Sequence, residues 1–378
     1  MTGHHELPGT FRACPAAETW RRIRPFFATA GITRVADITR LDHIGIPVFT
    51  AVRPNGKTLS VSQGKGATPE LARVSAAMEA LEVWHMEEFA EPVSTRPFRD
   101  LRAALAYPLG ALPQPRLGAL NDLTPLEWQP ARDLLSGEET YVPDGCVRLD
   151  FSRPENYAPQ FFFSTSTGVA SGNTLAEATL HALHEILERH YVAVSATGEH
   201  PWWWLDVENV RKSASRAALN RFTDAGISVV VRFCGLPGEL PVFEAFIWGD
   251  DIPHVFMGAG CHVNADVALS RALHEAAQSR LTMISGVRDD LYETSYQPVE
   301  SNPFPRWLAA TRSHARPPEG TIDMDGFTWE SIDHALSAVT RIAARESGYA
   351  PLRVDATRPG VGIPVIRVIV PGLKERRR

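Results

Sequence analysis

Three stretches of the chain repeat one pattern, in which carboxylates recur every three or four residues within runs of Ala, Leu and Met. They read Ser75-Ala76-Ala77-Met78-Glu79-Ala80-Leu81-Glu82, Ala182-Leu183-His184-Glu185 with Glu188 beyond it, and Arg271-Ala272-Leu273-His274-Glu275. That period predicts three helices. The first is expected over residues 68–89, where Thr68 can cap and Pro69 suits the first helical position. The second is expected over 174–194 with Asn173 as N-cap, and the third over 266–284. Strand-like runs and glycines precede them: residues 59–62 with Gln63-Gly64-Lys65-Gly66, residues 160–163 with Gly168 and Ser171-Gly172-Asn173, and residues 228–233 and 242–248 with Gly258-Ala259-Gly260-Cys261. The glycines read as turns feeding the helices.

Around these units the pattern predicts a helix over 18–30, carried by Trp20, Ile23, Phe26 and Phe27 and ended at Gly31. Strands follow over 35–38 and 44–52, turning at Pro54-Asn55-Gly56. Residues 96–123 read as a covering segment with one short helix at 101–106, and 127–129 with 140–143 as a hairpin. Further helices are expected over 207–218 and 328–347, and a last buried strand over 362–370. The implied class is mixed α/β, with strand, glycine turn and acidic helix recurring three times. With no low-complexity linker, one catalytic domain over 1–378 is expected, comprising an N-terminal portion 1–58, a motif-bearing core 59–372 and a basic tail 373–378.

Composition adds limits. With 44% hydrophobic and 22% charged residues, a core forms without staples. Cys14, Cys146, Cys234 and Cys261 stand singly, which argues against a disulfide framework or zinc ribbon and fits a reducing cytoplasm. No signal peptide and no membrane-spanning run is evident. A net charge of −6 gives no drive toward nucleic acid, and the terminal Lys374-Glu375-Arg376-Arg377-Arg378 reads as a solvated tail.

The acids carry the chemistry. At about 100° per residue, Ser75, Glu79 and Glu82 share an arc of about 60°. Glu177, Glu185 and Glu188 share about 80°, with Leu180, Leu183 and Leu187 centred about 130° away. Arg189 lies beside these acids; Arg271, Glu275 and Gln278 repeat the first spacing, and Arg280 faces the other way. One such face is commonly solvated surface. Three copies backed by aliphatics point instead to converging acids, and oxygen donors without cysteine suit Mg²⁺ better than zinc. His85, His181, His184 and His274 form no HExxH spacing and read as packing or supporting residues.

Phosphate signatures of the GxxxxGK[ST] and GxGxxG kinds are absent. Gly64-Lys65-Gly66 could meet phosphate through backbone N–H groups and the Lys, or be a simple turn; Arg189 and Arg271 could do the same or form ordinary ion pairs. Trp202-Trp203-Trp204 reads as packing rather than a ligand platform. Without a GxSxG elbow or a Cys/His setting, no catalytic nucleophile is assigned.

In this order, Gly64-Lys65-Gly66-Ala67-Thr68, Ser75-x3-Glu79-x2-Glu82, Asn173-x3-Glu177, Glu185-x2-Glu188-Arg189 and Arg271-x3-Glu275 resemble the motifs of the YcaO family, ATP-dependent enzymes that modify peptide backbone amides. The similarity runs over roughly residues 30–372. It implies Mg²⁺ held by Glu79, Glu82, Glu177, Glu185, Glu188 and Glu275, and ATP contacted by Lys65, Ser75, Asn173, Arg189 and Arg271. In the family's reaction a nucleophile adds to an amide carbon, and the resulting oxyanion attacks the γ-phosphate.

Gly45-Ile46-Pro47-Val48, Leu59-Ser60-Val61-Ser62-Gln63 and Gln278-Ser279-Arg280-Leu281 look like members that install thioamides from a sulfide donor with a TfuA-like partner. Two departures stand out. His190 occupies a position where many relatives carry Asp, and Pro371-Gly372-Leu373-Lys374 lacks the proline-rich ending of azoline-forming members. Azoline-forming cyclodehydration, macroamidine formation and a nucleotide-binding scaffold remain the alternatives. A precursor peptide is the implied substrate, a homodimer is compatible, and the position of the motifs leaves no room for a fused leader-recognition domain.

Overall fold

The computed structural model describes residues 5–112, 120–149, 161–162, 165–291, 296, 304–311 and 331–375 of the 378. From the N-terminus, a hairpin of β1 (His5–Leu7) and β2 (Thr10–Arg12) precedes α1 (Ala16–Ile23). Next come β3 (Arg34–Asp37), β4 (Val48–Val52), β5 (Val61–Lys65) and the first acidic helix, α2 (Pro69–Glu87). The middle of the chain forms β6 (Ser94–Pro97), α3 (Phe98–Leu101), β7 (Pro125–Asp133), β8 (Glu139–Pro143), β9 (Val169–Ser171) and the second acidic helix, α4 (Leu175–Ala196). Then follow β10 (Trp203–Trp204), α5 (Ser213–Asp224), β11 (Ser228–Phe233), β12 (Val242–Trp248), β13 (Phe256–Cys261) and the third, α6 (Ala265–Ser285). The last described elements are α7 (Phe304–Thr311), α8 (Ile332–Ser347), β14 (Leu352–Asp355) and β15 (Val365–Ile369).

The fold is mixed α/β, and every strand pairing among the described residues is antiparallel. Strands β3-β4-β5 make one sheet and β10-β11-β12-β13 another. The largest runs β6-β7-β14-β15-β9, with β8 also on β7. Each acidic helix backs onto its own core. Ala72, Ala76 and Leu81 of α2 pack with Ile23, Phe49 and Ala51. Leu183 and Leu187 of α4 pack with Val339 and Ile366, and Leu269 and Leu273 of α6 with Leu219, Phe222 and Phe243. A fourth cluster, around Trp128, Val142, Leu352 and Val365, fills the large sheet. Aliphatic faces turned into three different cores leave the polar faces of the three helices free to meet.

Several expectations change. Pro25 lacks the N–H that a longer α1 would need, so the chain tightens into a 3-10 turn at Arg24–Phe26. The helix expected from 207 is a 3-10 turn at Val207–Asn209, and α5 starts only at Ser213. The short helix expected at 101–106 begins earlier, at Phe98. Residues 160 and 163 of one expected strand, and 328–330 of the late helix, lie outside the described residues. Trp202 and Trp204 pack with Trp307, as the aromatic run suggests. No described helix is long and apolar enough to cross a membrane.

Candidate active site

Gly168 sits in a turn with φ +79°, as expected, but the glycines before α2 and α6 do not form turns. Gly64 and Lys65 end β5, and Gly258 and Gly260 lie inside β13. A Cβ on Gly64 would stand 2.0 Å from the Ala76 nitrogen and 2.4 Å from the Ala72 oxygen; one on Gly258 would stand 2.2 Å from the Ala276 nitrogen. Glycine is required there because strand backbone crosses directly over helix backbone.

Three side chains cap the helices: Thr68 accepts from the Leu71 amide, Thr174 from Glu177 and Asn264 from Val267. Thr174, rather than the expected Asn173, therefore caps α4. Eleven residues past each cap stand Glu79, Glu185 and Glu275; fourteen past stand Glu82, Glu188 and Gln278. The helices also share one register against their strands. Four residues before its cap, Gly64 faces the Ala72 oxygen and Ala76 nitrogen, and Gly260 likewise the Ala268 oxygen and Ala272 nitrogen, four and eight residues past the caps; two before, Gly66 and Gly172 face the nitrogens of Ala72 and Ala178. Strand β13 makes a second close crossing at Gly258, over Ala272 and Ala276, and so passes beside Glu275.

Glu275, Glu188 and Glu79 surround Lys65, and Glu82 and Glu185 stand beside Glu79, so five acids gather here. The Lys65 ammonium is 2.8 Å from Glu275 Oε2. Burial works against its charge, but Glu275, with Glu188 and Glu79 behind it, wins and raises its pKa. Glu82 Oε1 accepts from the Ser171 amide at 2.9 Å and from its hydroxyl, joining α2 to the end of β9. Glu185 Oε2 accepts from the Gly168 amide at 2.9 Å, and its other oxygen meets Arg189 at 2.8 Å. Burial pushes Glu79 up to about 7, with Lys65 and Arg288 pulling it back. Burial likewise raises Glu82 to about 8, and raises Glu188 to about 8 with Glu275 and Glu185 adding to it.

Arg189 is held from a second side, its Nη1 donating to the Thr167 hydroxyl at 2.6 Å and to Glu375 at 3.1 Å. The tail expected to be solvated therefore reaches the site through Glu375, and Lys374 pairs with Glu199. The Lys374 amide donates to Nδ1 of His190, so this departure from the family pattern serves as a tail anchor.

Glu177 and Asn173 lie apart from the five acids, since eight residues of helix, about 12 Å, separate Glu177 from Glu185. Glu177 accepts from the Ala13 amide at 3.0 Å and meets Arg12 at 3.4 Å. Asn173 accepts from the Thr19 hydroxyl at 2.8 Å. Arg271 donates to the Cys261 carbonyl at 3.2 Å, and burial together with nearby Arg12 lowers it to about 10. His181, His184 and His262 are held well below the ordinary imidazole range by burial, with Arg12 and Arg271 adding to the effect. The site is thus polarised, acidic around Lys65 and basic around Arg271. Sequence reasoning missed Arg12, His262, Ser171 and Glu375, which arrive from distant segments that carry no periodic signal.

The donors suit a hard cation, being carboxylate oxygens whose burial disfavours their charged form without one. Among the described residues, no three His, Cys, Asp or Glu side chains are gathered as a ready metal cluster. Glu82, Glu185 and Glu275 instead hold protein donors that a cation would replace.

Fold and site together define an antiparallel α/β protein whose three helices bring carboxylates together around Lys65, with Arg271 of the third helix and Arg12 of the hairpin at the other end. Residues 63–374 match the model of the YcaO cyclodehydratase family, described as ATP- and Mg²⁺-binding, and the chain belongs to this family. An uncharacterized protein of Mycobacterium tuberculosis H37Rv is 39% identical over 97% of this chain and 83% of its own length. An uncharacterized protein in the tfuA 3′ region of Rhizobium leguminosarum bv. trifolii is 33% identical over 96% and 88%. The fold also matches YcaO from Methanopyrus kandleri bound with AMPPCP and Mg²⁺, with a TM-score of 0.75 over 99% of this chain and 95% of that one, at 24% identity.

Proposed function

We propose that this chain activates a peptide backbone amide by transferring its oxygen to the γ-phosphate of ATP, and that the product is a thioamide. The observation that carries the reading is the polarity of the site, which matches the charge distribution of a magnesium triphosphate. Glu79, Glu82, Glu185, Glu188 and Glu275 would hold Mg²⁺, while Lys65, Arg189 and Arg271 would orient phosphate oxygens; Ser75 at the strand crossing and Asn173 beside Glu177 would complete the nucleotide contacts. Glu177, in this reading, serves the phosphate end through its basic neighbours.

Bound ATP with Mg²⁺ supplies the phosphoryl group that accepts the amide oxygen. The protein's part is to fix that group and balance its charge, as phosphoryl transfer generally requires. Lys65, anchored on Glu275, is placed to offset charge between the acids and the phosphates. In sum, amide, ATP and hydrogen sulfide give thioamide, ADP and phosphate. The tfuA neighbourhood of the Rhizobium relative supports sulfide as nucleophile and a TfuA-like protein as partner. The family's description as cyclodehydratases favours a second reading, ring closure by a Cys, Ser or Thr side chain.

The experiment combines the purified chain, a TfuA-like protein, precursor peptide, sulfide and Mg·ATP. Peptide-dependent ADP release with replacement of one oxygen by sulfur supports thioamidation; loss of one water supports cyclisation. Nucleotide binding without either change would leave a scaffold. Glu79→Ala and Glu188→Ala should each abolish Mg-dependent turnover in a folded chain, and wild-type turnover in both would sink the metal assignment.

A further inference from the structure

The basic end of the site holds more positive charge than its carboxylate can offset. Glu177 is 6% exposed and faces both Arg12 and the Ala13 amide. Next to Arg12, Phe11 stacks on His262 with ring centres 5.7 Å apart, and His262 lies 4.9 Å from His184. Arg271 is tied to the carbonyl of Cys261, the residue preceding His262. These contacts bring the guanidinium groups of Arg12 and Arg271 to the same corner. Inside it, Nε2 of His184, a residue only 2% exposed, has no hydrogen-bond partner among the described residues.

A buried guanidinium beside a partly exposed one, with one carboxylate between two positive charges and an unanswered polar atom nearby, favours an anion, and paired guanidinium groups are the usual answer to phosphate. Guanidinium groups select the phosphate end of a nucleotide, and the terminal phosphate carries the most charge there. We infer that Arg12, carried by the N-terminal hairpin outside the family-matched residues 63–374, contacts the terminal phosphate together with Arg271. This rests on the ATP reading above. The alternative role for Arg12 is to fasten the hairpin to Glu177.

The test compares Mg·AMPPCP and Mg·ADP binding by calorimetry in the full chain, Arg12→Gln, Arg12→Lys and Phe11→Ala, with melting temperatures alongside. Arg12→Gln should weaken AMPPCP about 10- to 100-fold while leaving ADP within about twofold, and Arg12→Lys should recover part of the loss. Equal losses for both nucleotides, or the same selective loss in Phe11→Ala, would mean that hairpin docking is the cause and overturn the assignment. So would wild-type discrimination retained in Arg12→Gln. If the wild-type chain binds neither nucleotide, the ATP reading falls and this assignment with it.

Discussion

Replacing Gly64 by Ala tests whether the strand-on-helix crossing positions the site. The new Cβ would lie 2.0 Å from the Ala76 nitrogen and 2.4 Å from the Ala72 oxygen, both backbone atoms that no rotamer change can move. Ordinary contact begins at 3.4 Å, so β5 must retreat from α2 by about 1.5 Å. Overpacking of this kind costs about 1–3 kcal/mol. The functional cost should be larger, because Lys65 is the next residue and its 2.8 Å contact with Glu275 would open. A displacement of about 1 Å in positioning groups can lower rates about 100-fold. Circular dichroism should show a folded chain with a lowered melting temperature, and ADP release at saturating peptide should fall at least about tenfold. Gly110→Ala, which meets nothing within 4 Å, is the control and should change neither. Wild-type melting and turnover in Gly64→Ala would refute the argument that close approach explains the glycine.

Gly258→Ala should behave similarly, since its Cβ meets the Ala276 nitrogen at 2.2 Å, and the same two assays check it. Stability should fall as pH rises from about 4.5 to about 8 and level off above, because Glu79, Glu82 and Glu188 keep protons in the folded state at about 7, 8 and 8 that the unfolded chain has released. Melting temperatures across that range without nucleotide measure this, and Glu188→Gln should flatten the slope; a rise with pH would contradict the assignment. Arg280→Ala should cost about 3–5 kcal/mol in denaturant unfolding, because it strands Asp42, whose side chain is 2% exposed. Glu375→Gln should raise the KM for ATP about three- to tenfold with little change in melting, since it releases one side of the Arg189 fork; an unchanged KM would separate the tail from the site.

The helices were legible because the signal is local. Apolar period, capping residues and acid spacing all lie within one stretch, so α2, α4 and α6 appear close to their predicted spans. The glycines before α2 and α6 misled because their composition is the same in a turn and in a tight crossing, and only the partner backbone distinguishes the two. Asn173 and Thr174 are both good caps in sequence; Asn173 is drawn away by Thr19 and Glu177. The hairpin β1–β2 and strand β14 span three and four residues per strand, too few for alternation to stand out. Arg12 and Glu375 could not be placed because each reaches the site only through contact with residues more than 160 positions away.

Three similar units in one register build a polarised site because their residues differ at equivalent places. Glu79, Glu185 and Glu275 all stand eleven residues past their caps, but fourteen past, α6 has Gln278 where α2 and α4 have Glu82 and Glu188, and seven past it has Arg271 where they have Ser75 and His181. One carboxylate fewer and one guanidinium more on α6, with Lys65 of β5 paired to Glu275, separate an acidic end from a basic one that faces Arg12 and Glu177. Charge separation therefore follows from side-chain choice on a repeated backbone frame: Gln278→Glu would add a further like charge beside the acids, and Arg271→Ser would remove the basic end.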